Sequence, residues 1–469
     1  MDQVIQRRHD DSFGAARRLR SEDHLVVQGP RTRRVADFVS ELRWEDLPAP
    51  VQDQAIRTLL DLCGCAIGGS RTRVAQIFAA YARHTHGSGD ATIIGSSLTA
   101  SAVGAALANG YAASALDIDD GYRPLKGHPG AVVFPGILAA AEHVGASGRA
   151  FLTALVAAYE VAMRAGHILH AFYGFYHGTG SWGPVGAAAG AARLLGCTSE
   201  QIWHAMGVGE FHACMTPEMR SVDHPSMLKD GIGWGAMVGL ASAELAARDC
   251  TGIPSLFDTT DGANIPLDDL GREWLIMQLY FKPHACCRWA QPAVDGARAA
   301  ARQLGVAYAD IACVRVHTFE AALHLRNAAP RSTEEAQFSL PWPVACALID
   351  GAVGPDQVRE SALADPDRRA LAARVEMVHD PGIEAAFPDR ALAWVEVETT
   401  DGRCARSGLI AAHGDPDVPL TDAERTEKYH WLVTPVLGAR RAEELLATIE
   451  ALPSARDIRD LTRRLRDES

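Results

Sequence analysis

The chain has 469 residues, a formal net charge of -13 and 48% apolar residues. That length exceeds one simple core, so two domains are expected. The acidic balance argues against nucleic acid as a partner, and any anionic ligand must find a local basic pocket. No window reaches ~18 uninterrupted apolar residues, so neither a membrane-spanning helix nor a membrane partner is expected.

Residues 1–32 are rich in Arg and Asp and lack the apolar core of a secretory signal, so a mobile extension is expected there. Val35, Phe38, Val39 and Leu42 then follow helical spacing. Pro48 and Pro50 open a second helix through Leu59, Leu60 and Ile67, which Gly68-Gly69 is expected to stop. The runs at 101–116, 183–196 and 231–247 are almost all small residues and predict closely packed, buried helices. Near residue 270 the character changes. Segments 310–319, 375–380 and 394–402 are rich in β-branched or alternating residues and predict strands, with helical stretches at 292–305 and 341–354 between them. The fold class expected is therefore mainly α: an all-helical domain over 33–270 and 409–469, and a smaller α+β domain over 271–408. The ten cysteines show neither disulfide-scaffold density nor metal-ligand spacing, which predicts no metal site and fits a reducing cytoplasm.

Four segments carry candidate chemistry. ALDIDDGYRPLKGHPG (115–130) gathers Asp117, Asp119, Asp120, Tyr122, Arg123, Lys126 and His128 between two apolar helices. It reads either as a solvated loop with capping aspartates or as a proton-handling site held by two core elements. FYGFYHGTGSWG (172–183) places His177 among Tyr173, Tyr176 and glycines, as a structural histidine or as a ligand-facing one. Lys229 precedes an apolar helix and either marks the helix end or points inward. YFKPHACCRWAQPAVDGA (280–297) surrounds Cys286 and Cys287 with Lys282, His284 and Arg288, as hinge charges or as cations for carboxylates, Arg288 bidentately. The cysteine pair reads as packing.

With GFYHGTGSWGPVGAAAGAARLLG, the MLK…G segment at 227–235, EEAQFSLPWPVACALIDGAVG (334–354) and GDPDVPLTDAERTEKY (414–429), these segments resemble the MmgE/PrpD family in the family's order. That family contains 2-methylcitrate dehydratase, cis-aconitate decarboxylase and iminodisuccinate epimerase. The resemblance implies a large helical domain built from both chain ends, a smaller α+β lid, a homodimer, and neither metal nor organic cofactor. It implies catalytic roles for Asp117, His128, His177, Lys229 and Lys282 in an interdomain cleft. From their residue types and positions, Asp120, Tyr122, Tyr176 and Arg288 are substrate-binding candidates. This chain departs from the family near Gly121 and Tyr122, where members often carry Thr or His, and at Gln291, where a His is common.

The implied activities all create negative charge beside a carboxylate, which requires a base and cations aimed at that charge. Imidazoles with ordinary pKa values of ~6.5 suit either proton role. The expected activity is a cofactor-independent lyase, a dehydratase of a small hydroxylated di- or tricarboxylate. The alternatives are an epimerase of an amino- or imino-dicarboxylate and a catalytically silent relative that keeps the fold.

Overall fold

In the computed structural model, which describes residues 30–87, 89–259, 265 and 267–467, the small-residue runs form packed helices. Ala102–Ser114, Pro129–Val144, Gly148–Phe172, Gly183–Leu194 and Ile232–Ala246 pack against one another with nearly every inward residue buried. Gly148–Phe172 is apolar and long enough to cross a membrane, yet Phe151, Leu155 and Tyr159 are fully buried at the centre of this core. The extension expected over 1–32 lies, up to residue 29, outside the described residues. Pro30–Glu41 is a helix, with Thr32 buried.

The second helix runs Ala49–Gly69 and ends at the Gly68-Gly69 pair, as expected. A Cβ on Gly69 would lie 2.0 Å from the Ala112 carbonyl oxygen, so this glycine also permits close approach of Ala102–Ser114. Along its other side Ala49–Gly69 packs on Asp422–Leu437, which brings both ends of the chain into one apolar core.

A second apolar core surrounds a five-stranded sheet. Ile311–Thr318 lies between Val375–His379, which runs parallel to it, and Leu392–Thr399, which runs antiparallel. Cys404–Arg406 and Ile410–Ala411 pair with Leu392–Thr399. The alternation expected of a one-sided sheet is present: Val314, Val316, Val395 and Val397 are buried. On the outer face Arg315 reaches Glu376, Glu396 and Glu398. Helix Gln291–Leu304 covers the inner face. All ten cysteines are free thiols.

Candidate active site

The loop after Ala102–Ser114 joins the two cores. Leu116 and Ile118 belong to the core around the sheet, whereas Tyr122 and Leu125 belong to the helical core. Apolar anchors on both sides leave the polar residues between them at the junction. Gly121–Tyr122 also pairs antiparallel with Leu279–Tyr280, stitching the loop to the segment that carries Lys282. A side chain at 121 would collide with Tyr280: an added Cβ lies 2.1 Å from its ring.

A cavity of about 40 Å³ opens at this junction, lined among others by Asp117, Arg123, Lys126, His128, Tyr176, Glu218, Asp230, Tyr280, Lys282, Cys287, Arg288 and Phe338. It holds roughly three waters. A di- or tricarboxylate is larger, so binding one requires the walls to part. Its backbone is unusual. Five described non-glycine residues adopt left-handed φ, and Asp117, Lys126 and Asp230 of the cavity wall and adjoining Lys229 are four of them. Such conformations store roughly 1–3 kcal/mol each and concentrate where geometry is functional.

Lys282, fully sequestered, donates from Nζ to Asp117 Oδ1 at 2.9 Å and to the Asp117 carbonyl at 2.9 Å. Burial alone would raise the Asp117 pKa, but Lys282, Lys229 and His128 outweigh it and hold the carboxyl below its ordinary value. His128 lies 3.5 Å from Asp117 through Nε2 and 3.3 Å from Asp119 through Nδ1, and Nδ1 also lies 2.9 Å from the Asp120 carbonyl oxygen. Burial would lower its pKa; Asp119, followed by Asp117, more than offsets this, and the pKa is raised. Thr179 Oγ1 accepts from the His128 backbone N–H at 2.9 Å. The ring is thus a basic imidazole fixed between carboxylates at the edge of a cavity.

The other expected residues fall into two groups. Tyr176 lines the cavity, and its hydroxyl donates to the Lys126 carbonyl at 2.6 Å while the Lys126 ammonium stands 4.9 Å over its ring. Arg288 also lines the cavity, but its fork is not open to a substrate carboxylate: Asp415 takes it bidentately, with Nε to Oδ1 at 3.0 Å. Lys229 points inward, donating to Gln337 Oε1 at 2.7 Å, and Gln337 in turn donates to the Ala115 carbonyl at 2.8 Å. Lys229 adjoins the lining without entering it, and three further residues lie outside it. Asp120 accepts from Tyr159 at 2.8 Å, and burial, Asp119 and Asp61 push its pKa up to about 8. The Tyr122 hydroxyl sits 2.9 Å from His167 Nε2 inside the helical core. His177 packs on His170 with ring centroids 4.0 Å apart, Nδ1 is 2.7 Å from Ser181 Oγ, and burial lowers its pKa to about 4.

Two family models match the sequence: the MmgE/PrpD N-terminal domain over residues 33–266 and the MmgE/PrpD C-terminal domain over 284–453. The chain belongs to the MmgE/PrpD family. Among its curated relatives, a cis-aconitate decarboxylase-like protein of Aspergillus oryzae is 25% identical, aligned over 92% of this chain and 97% of that protein. Human cis-aconitate decarboxylase is 25% identical over 93% of this chain and 95% of its own length. The Aspergillus terreus enzyme is 22% identical over 92% and 94%.

In this MmgE/PrpD chain, Asp117, Asp119 and His128 present ligand atoms within 4.8 Å of one another. Lys282, 2.9 Å from Asp117 Oδ1, already supplies a positive charge to that set, so the grouping suits acid–base chemistry better than a divalent ion. Several site residues carry weaker sequence signals. Lys428, on a C-terminal helix, donates to Asp61 Oδ1 at 2.5 Å and to the Ile118 carbonyl at 2.7 Å, holding the loop from behind. Gln337 is visible only within its motif. Glu218 has no local signature; its trace is Gly178, where an added Cβ would lie 2.2 Å from Glu218 Oε2.

Proposed function

We propose that this MmgE/PrpD protein is a lyase whose own side chains move a proton at the carbon beside a carboxylate of a small di- or tricarboxylate. The observation that carries the reading is His128, fixed between Asp117 and Asp119 and opening on the cavity that also holds Lys282. The substrate carries a hydroxyl on the carbon next to the one that loses its proton. His128 takes the proton next to the carboxylate, Lys282 with nearby Lys126 and Lys229 meets the charge that gathers on the carboxylate, and the hydroxyl leaves as water. Asp117 keeps Lys282 charged and His128 oriented. A second reading, loss of carbon dioxide, is favoured by relatives named cis-aconitate decarboxylases that align over more than nine-tenths of the chain.

The test is incubation of purified protein with cis-aconitate, citrate, 2-methylcitrate and malate, with products followed by proton NMR. Consumption with loss of water or carbon dioxide is expected for at least one acid. If none of the four is consumed, the reading is wrong.

A further inference from the structure

The cavity wall also holds a pair of acids that the mechanism above leaves unused. Glu218 is 2% exposed, lines the cavity, and its Oε1 has no hydrogen-bond partner. Asp230 lies against it and lines the same cavity. The segment that presents Asp230 is contorted: Lys229, Asp230 and Gly231 have φ of 45°, 57° and 71°, three consecutive left-handed residues. Glu218 and the Asp230 carbonyl press so closely on Gly178 that only glycine fits there. The Glu218 backbone N–H donates to the Tyr176 carbonyl at 2.8 Å, which locks the pair to the segment that carries Tyr176.

Two ionised carboxylates side by side in one cavity wall repel each other and would repel an anionic substrate. One of them therefore keeps its proton, as in any closely spaced acid pair. The groups facing Glu218 are Asp230, Lys229, Ser221 and Tyr176. Burial first, and Asp230 second, push the Glu218 carboxyl up to about 10, with Lys229 opposing.

We infer that Glu218, seated beside Asp230, is a catalytic acid that hands its proton to the substrate in the cavity that His128 also lines. The inference rests on the lyase reading. In dehydration the substrate C–H proton passes to His128, its electron pair forms the double bond, the C–O bond breaks, and the departing hydroxide takes the Glu218 proton and leaves as water. In decarboxylation the C–C bond breaks, its electron pair shifts through the adjacent double bond, carbon dioxide departs, and the Glu218 proton completes the new C–H bond. Either way the Glu218 carboxylate regains its proton from solvent.

The experiment compares wild type with Glu218→Gln, which keeps the shape but has no acidic proton, and with Glu218→Asp, which keeps it. With whichever of the four acids the wild type consumes, Glu218→Gln lowers kcat by about 10²-fold or more with KM little changed, and Glu218→Asp restores part of the rate. The wild-type kcat falls at high pH as the acid ionises, and this limb disappears in Glu218→Gln. Infrared spectroscopy at pH 7.5 shows a protonated-carboxyl band in the wild type that Glu218→Gln loses, a readout independent of turnover. An unchanged kcat and unchanged alkaline limb in Glu218→Gln, or an unchanged infrared band, overturns the assignment. A wild type inactive on all four acids overturns the lyase reading, and the donor role with it, while the band still reports whether the acid is protonated.

Discussion

Replacing Lys282 with Met strips the cation from a pair that solvent barely touches. The side chains of Lys282 and Asp117 are 1% and 6% exposed, and Asp117 Oδ2 already has no hydrogen-bond partner. Lys282→Met therefore leaves a buried carboxylate with only the Lys229 charge and an imidazole 3.5 Å away. Orphaning one member of a buried pair costs about 3–5 kcal/mol. At ~2.1 cal/mol/K per residue, the 469-residue chain unfolds with an entropy of about 1 kcal/mol/K, so the melting temperature at pH 7.5 should fall by about 3–5 °C. The pH dependence has a definite sign. In the wild type the Asp117 pKa lies below its unfolded value, so its contribution is present above that value and is lost as pH falls through the folded one. Lys282 is raised, so its contribution is present below its unfolded value and is lost only as pH rises through the folded one. In Lys282→Met the Asp117 carboxyl rises and takes a proton on acidification, so the gap between variant and wild type narrows from pH 7.5 to pH 5. Scanning calorimetry at both pH values measures it, and Lys282→Met/Asp117→Asn should recover most of the loss. A loss below ~1 kcal/mol at pH 7.5, or a gap that does not narrow at pH 5, refutes the reasoning.

Other outcomes follow from the same geometry. His128→Asn should lower turnover by about 10²–10⁴-fold, whereas His177→Asn, one layer behind the cavity, should lower it far less; steady-state kinetics on one substrate compares them. Because Asp119 raises the His128 pKa, Asp119→Asn should move the acid limb of the kcat/KM profile to lower pH. Gly121→Ala drives a methyl group into the Tyr280 ring and should cost about 1–3 kcal/mol, with recovery on adding Tyr280→Leu, read by urea denaturation. Lys428→Met removes the donor to Asp61 and the Ile118 carbonyl, and should cut kcat while leaving the far-UV circular dichroism spectrum unchanged.

Much of this was legible in the residues. Small-residue runs announced buried helices because few other sequences let helix backbones approach so closely. The segments expected as strands at 310–319, 375–380 and 394–402 became the neighbouring strands Ile311–Thr318, Val375–His379 and Leu392–Thr399. Asp117, His128, Tyr176, Lys282 and Arg288 do meet around one cavity. What periodicity cannot convey is pairing across distance. Arg288 was expected to be a free fork, but Asp415, 127 positions later, occupies it. Tyr122 sits in the ionisable loop yet turns into the helical core toward His167. Gly68-Gly69 ends its helix as its signature says, but its second role, a contact surface for Ala102–Ser114, shows only in the fold. Glu218 was silent because its meaning depends on Asp230 and Gly178, which the fold alone brings to it.

The central claim is that His128 moves a proton at the carbon beside a substrate carboxylate. Supplying wild type and His128→Asn with the consumed acid deuterated at that carbon, in ordinary water, and following the label by NMR tests it most directly. Wild type should release deuterium from that carbon, more slowly than it consumes the unlabelled acid, and His128→Asn should release almost none. Equal release by the two proteins, or turnover by wild type that leaves all the deuterium at that carbon, would contradict it.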